Sequence, residues 1–289
     1  MKQSLLEQAS ILLLRKGFTI KSLTRTCFDI LARKEDKILL VKILEDADSI
    51  SKEYTGEMNR ISSYVNGSPL IIAEKAGDKL QDNIIYTRFN IYTLNFNTFK
   101  NCIEYKFPFV KRDHAGLKAH VAGNKLKEVR EREGISLNEI ARSVGVSKSM
   151  VQRYESGESE VTVGKALKLH RLLGPSVFDK INIFDYSKEL IHGGKSDVSK
   201  KYSELGFDAL ETKNVPFDIV AKKGKELIFT EIGDKTRSEL NSLSKLVDAD
   251  SLVIFKEKKP KDIPAVTKKE FMEFEKAREL IKFLKEFEK

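Results

Sequence analysis

The clearest hydrophobic pattern lies in residues 124–174, where apolar positions recur at helical spacing. The pattern predicts four short helices, with a tight turn between the second and the third. The apolar positions of the second helix are Leu137, Ile140, Ala141 and Val144. They follow the i, i+3, i+4, i+7 spacing of a single helix face, which we expect to be buried. In the third helix, Val151 and Tyr154 are expected to face inward.

Polar and glycine residues mark the ends of these helices. Ser136 and Glu139 have the S-x-x-E spacing of a capping box, which predicts that the second helix begins after Ser136. Gly145 predicts its end, because glycine adopts the left-handed conformation without strain. Ser147 is expected to cap a third helix that runs to about Glu155. Two helices joined in this way form a helix-turn-helix, whose second helix can lie in a major groove.

The motif L-x-x-I-A-x-x-x-G-V-S-x-S-x-V-x-x-Y-E-S-G, at residues 137–157, closely resembles the Cro/C1-type (XRE) helix-turn-helix family. The resemblance implies that outward residues near the start of the third helix contact base edges. In this chain those residues are Lys148, Ser149, Gln152 and Arg153. Lysine and arginine suit the acceptors of guanine, and glutamine suits adenine. The alternative is that the unit serves only for packing or dimerisation.

Phosphate contacts are expected from a second set of residues around the same motif. They are Lys125, Lys127, Ser136, Arg142, Ser156 and Lys165. The resemblance also implies that the Glu155-Ser156-Gly157 turn presents backbone amides and a short polar side chain to a phosphate. After this motif, Pro175-Ser176 and the segment VFDKINIF predict a fifth short helix, and Gly193-Gly194 predicts a hinge.

The segments on both sides of the helix-turn-helix alternate helical and strand patterns, which is typical of α/β domains. They also repeat. Gly17-Phe18 matches Gly206-Phe207, and Phe28-Asp29-Ile30 matches Phe217-Asp218-Ile219 at the same offset. We interpret this match as a duplication, and the alternative is chance similarity between two α/β patterns. The final segment, TKKEFMEFEKARELIKFLKEFEK, predicts one long amphipathic helix.

The layout of each flanking segment resembles the PD-(D/E)xK nucleases, in which two acids hold Mg²⁺ and a lysine positions the attacking water. In the first copy Asp29 and Lys42 are present, but Leu40 replaces the second acid. In the second copy Asp218 is followed by Phe229-Thr230-Glu231, which supplies neither acid nor lysine at the matching positions. We therefore expect a catalytically inactive fold without a metal site, unless Glu53 or Glu57 on the next helix replaces the missing acid.

Composition agrees with a partner that is a polyanion. The 289 residues carry a net charge of +9, and the sequence pI is about 9.2. Cys27 and Cys102 are far apart, which favours reduced thiols in a cytoplasmic protein. The N-terminus does not resemble a signal peptide, and no stretch reaches membrane-spanning length. No cofactor is expected, and we expect no contact with a membrane.

Together these patterns predict a multidomain protein with a central all-α, five-helix Cro/C1-type domain between two duplicated α/β nuclease-like domains. The expected boundaries are 1–115, 118–185 and 196–289. This order resembles a family of archaeal helix-turn-helix-type transcriptional regulators, which implies a regulator that binds double-stranded DNA, and we expect it to act as a homodimer. The alternatives are a DNA-processing nuclease targeted by the helix-turn-helix, and a regulator gated by a ligand that the sequence does not identify.

Overall fold

A computed structural model describes residues 2–113, 116–186, 194–234 and 239–287. The chain divides into two compact units. The first unit is drawn from Met1–Glu45, Ser49–Ile71 and Phe184–Lys289, and the second from Asp46–Asp48 and Ile72–Ile183.

The elements follow one another along the chain as helices and strands of ordinary length. Up to residue 113 they are α1 (Lys2–Arg15), β1 (Thr19–Ser22), β2 (Ile30–Lys34), β3 (Lys37–Asp46), α2 (Lys52–Val65), β4 (Ser68–Ala76), β5 (Asp78–Lys79), β6 (Ile84–Arg88), β7 (Ile91–Leu94), α3 (Phe96–Ile103) and β8 (Val110–Asp113). From residue 116 they are β9 (Gly116–Ala119), α4 (Gly123–Arg132), α5 (Leu137–Val144), α6 (Lys148–Glu155), β10 (Val161–Thr162) and α7 (Val163–Leu173). From residue 194 they are α8 (Asp197–Glu204), β11 (Asp208–Glu211), β12 (Ile219–Lys223), β13 (Glu226–Ile232), α9 (Glu239–Leu246), β14 (Asp250–Phe255), β15 (Ala265–Thr267), α10 (Lys268–Glu273) and α11 (Ala277–Glu286).

The first unit contains two similar sheets. In its N-terminal half, β1, β2 and β3 are antiparallel neighbours. In its C-terminal half, β11, β12 and β13 are antiparallel, and β14 and β15 continue the sheet in parallel. Ile30 faces Val41 in one register, and Ile219 faces Thr230 in the other. Buried apolar residues of α8, α10 and α11 cover the second sheet.

The two halves of this unit also share local hydrogen bonds. The Lys34 ammonium donates to the carbonyl oxygen of Lys16 at 2.8 Å, where it closes the end of α1. The Lys223 ammonium donates to the carbonyl oxygen of Leu205 at 2.8 Å, at the end of α8. Donors and acceptors are separated by the same 189 positions (223 − 34 and 205 − 16).

Within the first unit, each half also binds the end of a helix in the other half. Arg33 of β2 donates to the carbonyl oxygen of Leu246 at 3.1 Å and pairs with Asp248, both at the end of α9. In the opposite direction, Lys222 of β12 donates to the carbonyl oxygen of Tyr64 at 2.8 Å, near the end of α2. The contacts are therefore reciprocal.

The second unit combines a sheet with the predicted helix-turn-helix. Its strands lie in the order β4, β7, β6, β8, β9 and β10, and β5 pairs with β4. The helices α4 to α7 share one hydrophobic core, which also takes in Ala119 of β9, Val121 and Phe178. Val161 of β10 pairs with Ala119 of β9, and α7 begins directly after β10.

Two elements differ from the sequence-based expectations: the segment after α7 and helix α3. Residues 178–183 form no helix, so the expected fifth helix is wrong. The helix-turn-helix domain consists of α4 to α7, a 3-10 turn at Pro175–Val177 and the short strands β9 and β10. Phe178 instead forms a β-bridge with Val121, and Asp179 N–H donates to the carbonyl of His120. Helix α3 was not predicted, although Asn95 caps it.

The expected long C-terminal helix is also wrong, because α10 and α11 are separate helices. Phe274 adopts an extended conformation between them, with φ −62° and ψ 121°. Most of the expected hinge, including Gly193, lies outside the described residues. Cys27 and Cys102 are free and buried. No helix in the described ranges is both long enough and apolar enough to cross a membrane.

Candidate nucleic-acid interface

The helix-turn-helix is built by the caps that the sequence predicts. The Ser136 hydroxyl accepts the N–H of Glu139 at 3.2 Å, and the Glu139 carboxylate accepts the N–H of Ser136 at 2.6 Å. Gly145 ends α5 with φ 79° and ψ 51°, a left-handed conformation that favours glycine. The Ser147 hydroxyl then accepts the N–H of Met150 and begins α6. These local bonds fix the direction in which α6 leaves the turn.

Helix α6 has one buried face and one exposed polar face. Val151 and Tyr154 are buried in the core of the unit. The exposed side chains are Lys148, Ser149, Gln152 and Arg153. The nearest charged partner of Arg153 is Glu158, at 3.8 Å and in solvent, so this pair holds the guanidinium only weakly. The four side chains predicted to read bases therefore share one accessible helix surface.

The residues predicted to contact phosphate lie on several elements of the same unit. Lys125 and Lys127 are exposed on α4, and Arg142 is exposed in the last turn of α5. Ser136 is the exposed cap of α5 described above. Lys165, on α7, is half-buried. These cationic and hydroxyl groups lie on helices that share one core with α6, and such groups are suited to a polyanionic partner.

The turn that follows α6 uses most of its polar groups within the protein. The N–H groups of Ser156, Gly157 and Glu158 donate to carbonyl oxygens of α6. These amides close the helix, and the expected phosphate contact through them stays a prediction that requires them to share their hydrogens. The Ser156 hydroxyl is exposed and donates to the carbonyl of Arg153 at 3.2 Å. To contact a phosphate, whose oxygens only accept, this hydroxyl would have to turn its hydrogen away from the Arg153 carbonyl.

Glu155 has a structural partner that sequence reasoning missed. Its carboxylate receives two hydrogen bonds from the Arg130 guanidinium, at 2.5 and 3.1 Å, and the side chains are only 10% and 13% exposed. The hydrogen bond to Glu155 raises the pKa of Arg130, so the guanidinium stays charged. It joins the end of α6 to α4. The only hint of this ion pair in the sequence is the opposite charge of the residues at positions 130 and 155.

One further contact holds α6 against α4 and another holds α5 against α7, and neither has a sequence motif. A Cβ added at Gly123, the first residue of α4, would lie 2.3 Å from the carbonyl oxygen of Glu155, so the two helices meet at their backbones. The Lys168 ammonium of α7 donates to the carbonyl oxygen of Val144 at 3.3 Å, at the end of α5. Both contacts depend on the tertiary structure, which explains why the pattern did not reveal them.

In the first unit, the nuclease-like positions can be compared with what a metal site requires. Asp29 is buried; its carboxylate accepts the Ile43 N–H at 2.7 Å and lies 3.3 Å from the Lys42 ammonium and 3.2 Å from that of Lys2. Leu40 is fully buried where the second acid would stand. One carboxylate engaged by two lysines, beside an apolar side chain, does not fit a Mg²⁺ site.

The two glutamates that could replace the missing acid have different surroundings. Glu53 is exposed on α2. Glu57 is buried, and its carboxylate accepts the N–H of Lys213 at 2.7 Å and lies 3.5 Å from Arg60. Burial raises the pKa of Glu57, and the Lys213 N–H opposes that shift. This carboxylate therefore holds a loop of the other half of the unit.

The second copy departs further from the nuclease pattern. Phe229, at the position of the second acid, stacks on Phe217 with ring centroids 4.2 Å apart. Asp218 is half-buried and accepts the Ile232 N–H at 2.6 Å, so it is not a fully solvated residue. Glu231 is buried. Across the described ranges, no three or more His, Cys, Asp or Glu side chains are grouped as they would be around a metal ion.

Comparison with known proteins gives two family matches and several relatives of full length. A PD-(D/E)XK superfamily domain matches residues 2–108, and a helix-turn-helix domain matches residues 126–177. Three archaeal relatives bear the name "Putative HTH-type transcriptional regulatory protein". They come from Methanocaldococcus jannaschii (32% identical, 99% of this chain and 97% of the relative), Methanobrevibacter smithii (31%, 99% and 97%) and Archaeoglobus fulgidus (28%, 99% and 98%). No solved structure matches the chain.

These matches confirm the predicted helix-turn-helix and the predicted nuclease-like fold of the N-terminal segment. The matched helix-turn-helix residues coincide with α4 to α7, whose caps and core are described above. The relatives align over nearly the whole chain, so the order of the domains is shared as well. The chain belongs to the archaeal family of helix-turn-helix-type transcriptional regulatory proteins.

Proposed function

We propose that this protein is a sequence-specific regulator of transcription that lays α6 in the major groove of double-stranded DNA. The proposed base-reading residues are Lys148, Ser149, Gln152 and Arg153, and the proposed phosphate contacts are Lys125, Lys127, Ser136, Arg142, Ser156 and Lys165. The observation that carries the proposal is the polar, exposed face of a short helix whose opposite face is fixed in the core. The proposal includes a cytoplasmic location, where an archaeal chromosome lies.

We also propose that the protein binds as a homodimer. One recognition helix covers too few base pairs to be selective, whereas two related by a two-fold axis read a pseudo-palindrome. The half-sites would then lie one helical turn apart, roughly 34 Å. Dimerisation also doubles the number of phosphate contacts and so the salt dependence of binding.

The flanking segments, 1–115 and 196–289, are proposed to be duplicated nuclease-like domains on either side of a helix-turn-helix domain at 118–185. Support comes from the matching strand order, from the equivalent bonds of Lys34 and Lys223, and from positive φ angles at Arg25 and Asn214, again 189 residues apart (214 − 25). A duplication explains all three with one event. The reciprocal contacts between the halves then correspond to those of a two-fold dimer.

We propose that neither copy cleaves DNA. Leu40 and Phe229 stand where the second acid is needed, and the Glu57 carboxylate is engaged by Lys213. The competing function is a metal-dependent nuclease that the helix-turn-helix directs to its site, which the family match of residues 2–108 favours. Cleavage of linear or branched DNA in Mg²⁺ or Mn²⁺, abolished by Asp29→Ala, would establish that competing function instead.

The experiment that tests the proposal is selection of bound fragments from random duplex DNA. It is run at near-physiological salt with Mg²⁺, and the recovered strands are examined for nicks. Intact duplexes that share an inverted repeat are the expected result, and their spacing gives the separation of the half-sites. Nicked DNA without a shared sequence would overturn both the regulator and the inactive nuclease fold.

A further inference from the structure

The second unit contains an open groove of about 760 Å³ that the proposed DNA contacts do not use. Small-molecule sites in proteins span about 300–1,000 Å³, so the groove has the size of a ligand site. Its walls include Tyr105, Phe107, Phe109, Leu117 and Val163. Such a groove with mostly apolar walls and a few polar groups is the usual form of a site for an organic ligand.

The aromatic wall remains accessible to water. Tyr105 is 52% exposed, and Phe107 is half-buried, with the two rings edge to face at 6.0 Å. Phe109 stacks on Phe178, whose ring lies in the core of the helix-turn-helix, at 5.1 Å. A planar apolar body laid along this wall would remove the rings from water and could stack on them.

Two lysines and one aspartate line the groove, namely Lys106, Lys180 and Asp82. The Asp82 carboxylate accepts hydrogen bonds from the neutral side-chain amides of Asn95 and Asn97. Lys106 pairs with Glu104 at 3.1 Å. Lys180 also lines the groove and is exposed, and it has neither a hydrogen bond nor an ion pair in the part of the chain that the structure describes. A ligand carboxylate would complement its charge.

We propose that this groove binds a small aromatic carboxylate, with the ring against the aromatic wall and the carboxylate at Lys180. Val163 is the first residue of α7, and Leu117 lies in β9, which pairs with β10 just before that helix. A ligand in the groove therefore contacts the elements that position α7 against α5. Binding changes the affinity for DNA, and this consequence rests on the proposed function.

The binding test uses the full-length protein and 2-naphthoate as the probe. The chain has no tryptophan, so the fluorescence of the probe can be followed without a protein signal in the same range. Lys180→Glu is expected to weaken naphthoate about tenfold and to leave the neutral alcohol 2-naphthalenemethanol unchanged. Tyr105→Ala is expected to weaken both probes. Lys79→Glu, the same charge change elsewhere in this unit, leaves both unchanged.

The coupling test measures affinity for the selected duplex with and without saturating naphthoate. A shift of at least about fivefold is expected, and it is smaller in Lys180→Glu, which is only partly occupied at the same probe concentration. The proposal is overturned if naphthoate does not bind, if neither variant weakens it, or if bound naphthoate leaves the affinity for DNA unchanged. Failure of the unliganded protein to bind DNA counts against the proposed function alone, because the probe is titrated without DNA.

Discussion

Substitutions of Arg153 and Lys165 can distinguish the two kinds of contact that a helix-turn-helix makes with DNA, to bases and to phosphates. Arg153 projects from the exposed face of α6, whereas Lys165 lies on α7. Arg153→Ala should cost on the order of 1–3 kcal/mol on the preferred site and relax the preference at one base pair. Lys165→Ala should weaken all duplexes alike and reduce the salt slope by about one.

These outcomes are read from titrations of the preferred and a scrambled duplex at several salt concentrations. The wild-type chain provides the reference for both the specificity ratio and the salt slope. Equal losses on both duplexes for Arg153→Ala would show that this residue does not read a base. The assignment of the α6 surface would then be wrong.

Arg130 pairs with two carboxylates, and removing each in turn tests what holds α6 to α4. Glu155 binds it in a site where both side chains are nearly buried, whereas Glu131 lies 3.3 Å away and is 56% exposed. Glu155→Ala leaves a poorly solvated cation without its partner and should cost about 3–5 kcal/mol of unfolding free energy. Glu131→Ala should cost less than about 1 kcal/mol. Urea unfolding at pH 7 measures both, and similar losses would contradict the buried pair.

At the scale of elements, local signals predict the helix-turn-helix well because its helices begin and end at their own caps. Ser136, Gly145 and Ser147 act within three or four residues, so the sequence alone contains their information. Asn95 also caps a helix, α3, but the preceding strand runs up to Leu94. The alternating pattern of that strand therefore concealed the start of the helix.

The elements that the pattern predicts wrongly are decided by tertiary packing. Phe178 stacks on Phe109 and pairs with Val121, which lies far away in the sequence, so its segment stays extended. Phe274 interrupts the C-terminal helix without a proline or glycine, and its ring packs near Phe271 and Phe283. No local residue marks either break, and a periodic pattern cannot reveal it.

A substitution at Gly123, with one at Gly164 as its control, tests how closely α4 approaches the end of α6. Gly123→Ala would force a methyl group to 2.3 Å from the Glu155 carbonyl oxygen, so the helices must separate, at a cost of about 1–3 kcal/mol. Gly164→Ala in α7 meets no atom within 4 Å and should stabilise the protein by about 0.5–1 kcal/mol. Thermal unfolding with a fixed protein concentration compares them. Stabilisation by both changes would mean that the approach is looser than described.

At the scale of the whole molecule, the sequence suggests the proposed repeat, but it does not reveal the contacts between the two halves of the first unit. Arg33 and Lys222 are equivalent positions, 189 residues apart (222 − 33), yet they carry different cations. Their partners, Asp248 and Asn66, differ in charge as well, although both have positive φ at the end of a helix. The geometry of these reciprocal contacts is therefore visible only in the folded chain.

Amide hydrogen exchange can test these reciprocal contacts in both directions. Arg33→Ala should increase amide exchange at the end of α9, and Lys222→Ala should increase it at the end of α2. Each change removes hydrogen bonds from a charged group and should cost about 1.5–3 kcal/mol. Lys225→Ala, on the exposed turn between β12 and β13, serves as the control for loss of a cation. If each variant loosened only its own half, the halves would be independent domains. The reciprocal response is expected because each helix end is held by the opposite half of the first unit.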